Sequence, residues 1–170
     1  IDPVDLQQCA DAVMRLRGEY LYSRGCYDRI HFNFLSDGKP RYFLEYKDGK
    51  TDYKTFRRYM KYIFSYANTS SLHDELEPVA SKEDIQIGDV FIQKGRPYGH
   101  AIIVLDVTMS IETGEKQFIL AQSYMPAQEL QVLMNPNDSN NGTWYDLNFG
   151  DTLDTPEWSF TKENLKRFEE

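Results

Sequence analysis

Apolar positions along the first twenty or so residues recur at helical spacing: Leu6, Cys9, Ala10, Val13, Leu16, Tyr20 and Leu21 fall on one stripe, with Arg15, Arg17 and Glu19 mostly off it. The spacing predicts an amphipathic helix from Asp5, its N-cap, to about Tyr22, closed by Ser23-Arg24-Gly25 through the glycine. Asp11 and Arg15 stand four apart, acid first, the favourable order for a helical ion pair. Ile30-His31-Phe32-Asn33-Phe34 then alternates as a strand does, Ser36–Lys39 turns, and Arg41–Tyr46 reads as the antiparallel partner. A second helical pattern follows in Phe56, Tyr59, Met60, Ile63, Phe64 and Tyr66, with Thr51 or Asp52 as cap. Asn68–Leu72 is expected as a break leading into a short helical turn through Leu76, stopped by Pro78.

The densest apolar stretch lies in the middle. Gly88–Ile92 and Gly99–Asp106 read as two strands joined by the loop Gln93–Tyr98, and Phe118–Tyr124 reads as a third after the turn at Glu112–Glu115. Period-two alternation puts His100, Ile102, Val104 and Asp106 on one face of the middle strand and Ala101, Ile103 and Leu105 on the other. Leu130–Leu133 extends the sheet, Asn135–Gly142 is a polar loop, and Trp144-Tyr145 and Trp158-Ser159-Phe160 are short aromatic strand candidates. A helix followed by a mostly antiparallel sheet is an α+β arrangement. No internal repeat, low-complexity tract or linker divides the chain, so one domain over residues 1–170 is expected.

Charge narrows the partners. With 19 Lys plus Arg against 27 Asp plus Glu, the net charge of -8 argues against a surface dedicated to nucleic acid. No apolar run reaches the length of a membrane span, and Ile1–Asp5 is not a signal peptide. Because the chain opens almost directly into a helix without an initiator Met, it is read as a trimmed or mature fragment, and a monomer is expected. Cys9 and Cys26 would lie on the order of 20 Å apart along the first helix and its exit, beyond disulfide reach. His31 and His73 lack a second ligand at metal-binding spacing, so neither a zinc site nor a cofactor is expected.

The candidate chemistry joins the two ends of this layout. A cysteine in the first turns of a helix meets unpartnered backbone amides and the positive end of the helix dipole, both of which favour the thiolate. His100 at the head of a buried strand can take a proton and return it, and Gln122 on the neighbouring strand is placed to fix its ring. The Cys9 amide, helped by Gln8 or Gln7, can stabilise an oxyanion. Gln8, Tyr98 and Tyr124 are the candidate binding residues, and Tyr124–Gln128 can shape a cleft. The plainer alternatives are a small buried thiol, a structural histidine and a strand-end turn former at Asp106.

Gly88-Asp89-Val90-Phe91-Ile92 followed by Gly99-His100-Ala101-Ile102-Ile103-Val104 resembles the glycine-aspartate hairpin and histidine strand of NlpC-type peptidases, which are papain-like cysteine hydrolases. Cys9–Arg15 is similar to the cysteine helix of some of their bacterial relatives. The chain as a whole, notably Gln7–Ala12, Tyr66–Leu72 and Ala121–Gln128, resembles a bacterial family catalogued only as a domain of unknown function. The NlpC resemblance implies a papain-like fold with the first helix packed on the central sheet. It also implies Cys9 as nucleophile, His100 as base, Gln122 as orienting residue, peptide or glycopeptide substrates, and a bacterial envelope or secreted location. The rival expectation is a catalytically inactive module on the same fold that binds peptide or glycan.

Overall fold

The computed structural model describes residues 9–124, 129–140 and 142–169. Asp5 and Gln8, the expected cap and binding residue, lie outside the described residues. Helix α1 (Cys9–Ser23) buries Cys9, Ala10, Val13 and Leu21 as the stripe predicts, and Asp11, Met14 and Gly18, which lie off it, with them. The contact line runs through Met14, Gly18 and Leu21 because a side chain at Gly18 would crowd Met60 and Phe56, its Cβ lying 3.0 Å from the Met60 sulfur. Tyr20 is thereby left exposed, and Arg15 pairs with Glu19 at 2.7 Å rather than with the buried Asp11.

β1 (His31–Asn33) and β2 (Pro40–Tyr42) form the expected hairpin, but the second strand is shorter than the alternation suggests. Phe43 is buried between Phe56 and Tyr59, and this turns the chain off the hairpin into a 3-10 segment over Phe43–Gly49, with Lys47 and Asp48 at positive φ. Helix α2 (Tyr53–Tyr66) is capped by Asp52, whose carboxylate accepts from the Thr55 amide at 3.0 Å and the Thr55 hydroxyl at 2.7 Å. The expected break shrinks to Ala67-Asn68, since Asn68 Oδ1 accepts from the Ser70 and Ser71 amides and Ser71 Oγ accepts from the Asn68 amide. That capping box starts α3 (Thr69–Glu75) on the spot.

The remaining strands are β3 (Glu77–Pro78), β4 (Val90–Gln93), β5 (His100–Met109), β6 (Lys116–Gln122), β7 (Gln131–Val132), β8 (Trp144–Asp146), β9 (Thr152–Asp154), β10 (Ser159–Thr161) and β11 (Leu165–Arg167). The main sheet runs in the order β3-β11-β4-β5-β6-β7, with β8 also on β6, and β9 and β10 pair separately. The described pairs are antiparallel, so the chain is mixed α+β with a mostly antiparallel sheet. The central meander follows the sequence pattern; β11 between β3 and β4 does not. Asp106 is not a turn former: it sits within β5 beyond a bulge at Val104, exposed, its Oδ1 accepting from the Val107 amide at 2.8 Å.

Alternation along β5 divides the core. Ala101 and Ile103 face α1 and α2 with Val90, Ile92 and Ala121, while Ile102 and Val104 face Phe91, Phe118, Leu120, Tyr145 and Phe160. A strand buried on both faces reads as a continuous apolar run, which β5 does through Val104. Among the described residues no helix is long and apolar enough to cross a membrane, and no cluster of three or more histidines, cysteines or acids could hold a metal ion.

The Gly88-Asp89 element acts as a clamp. Gly88 takes φ +91°, and the buried Asp89 carboxylate accepts Arg167 Nε at 2.6 Å, an Arg167 terminal nitrogen at 2.9 Å and the Gln86 amide at 2.8 Å. It thus ties the strand that enters the sheet centre to the last strand of the chain. Asp89→Ala removes two charge-assisted hydrogen bonds from a half-buried guanidinium and the acceptor of the Gln86 amide, and should lower unfolding free energy by roughly 2–3 kcal/mol. Urea denaturation checks this as a lower midpoint at unchanged slope; a midpoint equal to that of the parent protein would refute the clamp.

Candidate active site

The sheet register explains how two of the candidate residues meet. Ile103 lies opposite Ala121, so Gln122 is one step further along β6, on the face that His100 shares with Ile102. Diagonal neighbours on one sheet face are within reach of long side chains. His100 Nε2 and Gln122 Oε1 are 2.8 Å apart, and both residues are buried, His100 to 2% exposure. Trp158 and Tyr124 flank the ring at centroid distances of 5.3 and 5.2 Å, and Phe160 stacks on it at 6.1 Å.

The third member of this chain of bonds is Glu157, which the sequence pattern did not mark. Gln122 Nε2 donates to Glu157 Oε2 at 2.7 Å. A carboxylate only accepts, so the amide must turn its NH2 to Glu157 and its oxygen to the histidine, and His100 Nε2 must then carry the ring proton. The lone pair is left on Nδ1. That nitrogen makes no hydrogen bond among the described residues, and it is not sealed in either, since the unpartnered buried side-chain atoms described are His31 Nδ1 and Glu75 Oε1. Burial holds His100 below the usual histidine range, against the opposing pull of the Gln122 bond and the Glu157 charge, so the ring is neutral at pH 7.

Glu157 and Trp158 come from the turn between β9 and β10. Thr155 closes that turn by donating from its amide and its hydroxyl to the Trp158 carbonyl, at 2.8 and 2.6 Å. The Trp158 indole donates to Gln93 Oε1 at 2.9 Å, which pins the turn to the end of β4. The only trace of this in the sequence is the aromatic pair Trp158 and Phe160, which marks a strand and says nothing of the carboxylate before it.

Cys9 and His100 line one cleft of about 880 Å³ together with Asn68–Ser70, the loop Lys94–Gly99, Tyr124 and Trp158. Tyr98, at the rim, is 63% exposed. Cys9 is 7% exposed and its sulfur meets Thr69 Oγ1 at 3.7 Å; no hydrogen bond joins it to His100. The thiol and the imidazole therefore share a cavity, and the thiol's partner is a hydroxyl. Cys26 is a second free thiol. His31 and His73 lie elsewhere, beside Glu75 and Asp74. Gln8, Gln7 and residues 125–128 fall outside the described residues.

The chain matches, over residues 1–167, the family described as domain of unknown function (4846), and it belongs to that family. Comparison with curated proteins and with solved structures finds no match.

Two outcomes follow from the bonded chain Glu157, Gln122, His100. Replacing the acceptor by a donor in Glu157→Lys should flip the Gln122 amide and move the ring proton to Nδ1, whereas Glu157→Gln, which still offers an oxygen, should keep it on Nε2. Nitrogen-15 NMR of the imidazole reads the tautomer directly, and an unchanged tautomer in Glu157→Lys would show that Glu157 does not set it. Because the folded pKa of His100 is depressed, the unfolded chain binds the proton first on acidification. Stability should therefore fall as pH drops below about 6.5 and level off below the folded pKa. His100→Gln should remove that component from the pH dependence of the unfolding midpoint.

Proposed function

We propose that this chain is a cysteine-dependent hydrolase of amide or peptide bonds, with Cys9 as nucleophile and His100 as base. The observation that carries the reading is the cleft lined by both a helix-borne thiol and an imidazole whose Nε2 is tied back, leaving Nδ1 as the acceptor. Cys9 loses its proton to His100 Nδ1, and the sulfur attacks the substrate carbonyl carbon. The tetrahedral intermediate collapses to a thioester as the imidazolium returns the proton to the leaving amine. Water, deprotonated by the same nitrogen, then releases the acid and restores the thiol. A neutral amide suffices as the orienting group because a thiol is acidic enough to pair with imidazole without a carboxylate in direct contact. The Cys9 amide, with Gln8 or Gln7, is proposed as the oxyanion donor.

The likeness of Gly88–Ile92 and Gly99–Val104 to NlpC-type peptidases supports the same reading. It extends the reading to peptide or glycopeptide substrates and to a bacterial envelope or secreted setting. A second reading, an inactive papain-like module that binds such ligands, is favoured by one observation: the Cys9 sulfur is engaged by Thr69 and not by His100.

Alkylation by iodoacetamide separates the two. Under the hydrolase reading Cys9 reacts faster than Cys26 and faster than the same thiol in denatured chain between about pH 6 and 7. His100→Ala then slows it by about a hundredfold. A Cys9 that reacts no faster than the denatured thiol, with or without His100, leaves the binding module.

A further inference from the structure

The protein carries a net charge of -8, yet among the described residues no carboxylate lines this cleft. Two acids beside its lining residues are engaged by fixed partners. Glu157 is bonded to Gln122 beside the imidazole, and Asp74 accepts Lys94 Nζ at 2.5 Å. Among the described residues the ionisable groups that line it, apart from the thiol, the imidazole and two phenols, are Lys94 and Arg96, both cationic and both on the loop that joins β4 to β5. Lys94 is largely offset by Asp74. Arg96 is exposed and makes no ion pair or hydrogen bond among the described residues.

The loop that holds Arg96 is tightly folded. A Cβ at Gly95 would lie 2.0 Å from the Tyr98 carbonyl oxygen, and one at Gly99 would lie 2.3 Å from the Gln93 carbonyl oxygen. Only glycine permits these approaches, so the guanidinium is carried on a turn whose two ends are packed backbone to backbone. An unpaired arginine on a surface is ordinarily a solvated charge. Here it lines the same cleft of about 880 Å³ as Cys9 and His100, two residues before the exposed Tyr98.

We propose that Arg96, supported by Lys94 and Tyr98, forms a carboxylate-binding subsite, so that the cleft takes peptides bearing a free carboxylate. The proposal builds on the reading of this cleft as a peptide site, and its failure is separable from that of the hydrolase because it is tested by binding alone. Guanidinium offers a planar fork of donors that matches a carboxylate, and the positive rim draws an anion toward a molecule whose overall charge repels it. The carboxylate can belong to an acidic side chain or to a peptide C-terminus.

Three probes distinguish these. N-acetyl-Ala-Glu-amide carries the side-chain carboxylate, N-acetyl-Ala-Gln the terminal one, and N-acetyl-Ala-Gln-amide neither. Each is titrated into the nitrogen-15-labelled chain while the amide resonances of Tyr98 and Gly99 and the Trp158 indole are followed. At least one acid should bind about fivefold tighter than the neutral probe, as expected for one charge-assisted pair at an exposed site. The preference should vanish in Arg96→Gln and shrink as salt is raised. The acid that shows it identifies the source of the carboxylate. Equal binding of all three probes, no binding of any, or a preference that survives in Arg96→Gln would overturn the subsite, whatever Cys9 does with iodoacetamide. Slow Cys9 alkylation together with an Arg96-dependent preference would sink the hydrolase and leave the subsite standing.

Discussion

Burial of β5 on both faces is the constraint from which the site follows. From His100 to Val104 every residue of that strand is inside, with helices on one face and an aromatic layer on the other. An imidazole placed there is held neutral by desolvation and must have its N–H satisfied, or the fold would lose the hydrogen bond outright. Gln122 supplies the acceptor from the adjacent strand, and the register leaves no other step on β6 that combines the right face with the right reach. The chemistry of the ring is therefore set by strand pairing before any substrate is considered.

Much of this was legible in the sequence, and the reasons differ from residue to residue. The meander was visible because Val90–Ile92, Ala101–Val104 and Phe118–Ala121 are apolar on both faces, and that pattern has few other meanings. Gln122 was legible as a partner of His100 because period-two geometry propagates across a known pairing. Glu157 was not, because its position depends on a four-residue turn closed by Thr155 and pinned through the Trp158 indole, and a turn carries no periodicity. The strand expected over Arg41–Tyr46 failed for a related reason. Alternation describes a half-buried strand, and here the burial of Phe43 against α2 ends the strand after Tyr42. Asp11 was misplaced because Gly18, a residue with no side chain to show in the pattern, sets the line along which α1 meets α2.

The acids of the molecule are distributed with a consequence for function. Asp89 clamps β11 to the entry of β4, Asp74 holds Lys94, and Glu157 orients Gln122. Each uses its charge on a fixed structural partner. A chain with eight more acids than bases thus keeps negative charge off the cleft wall formed by the described residues. An unpaired carboxylate beside Cys9 would raise the cost of forming a thiolate, and one beside Nδ1 would compete with the thiol for the ring.

The hairpin of β9 and β10 brings these threads together. It pairs with itself rather than joining the main sheet, yet Phe160 is fully buried in the aromatic core and stacks on His100. One short hairpin thus contributes the ring's stacking partner, an indole that lines the cleft, and the carboxylate that fixes the amide behind the imidazole. Its own turn is held by Gln93, the residue opposite His100 across β4 and β5. The hydrogen bonds run from Glu157 through Gln122 to His100, and from Trp158 to Gln93 on the strand next to it, so two consecutive residues of the turn are referred to the same sheet position. An imidazole whose Nε2 is anchored in this way keeps one tautomer. In the proposed hydrolase, a base that presents its lone pair at Nδ1 needs that constancy more than it needs proximity of any single acid.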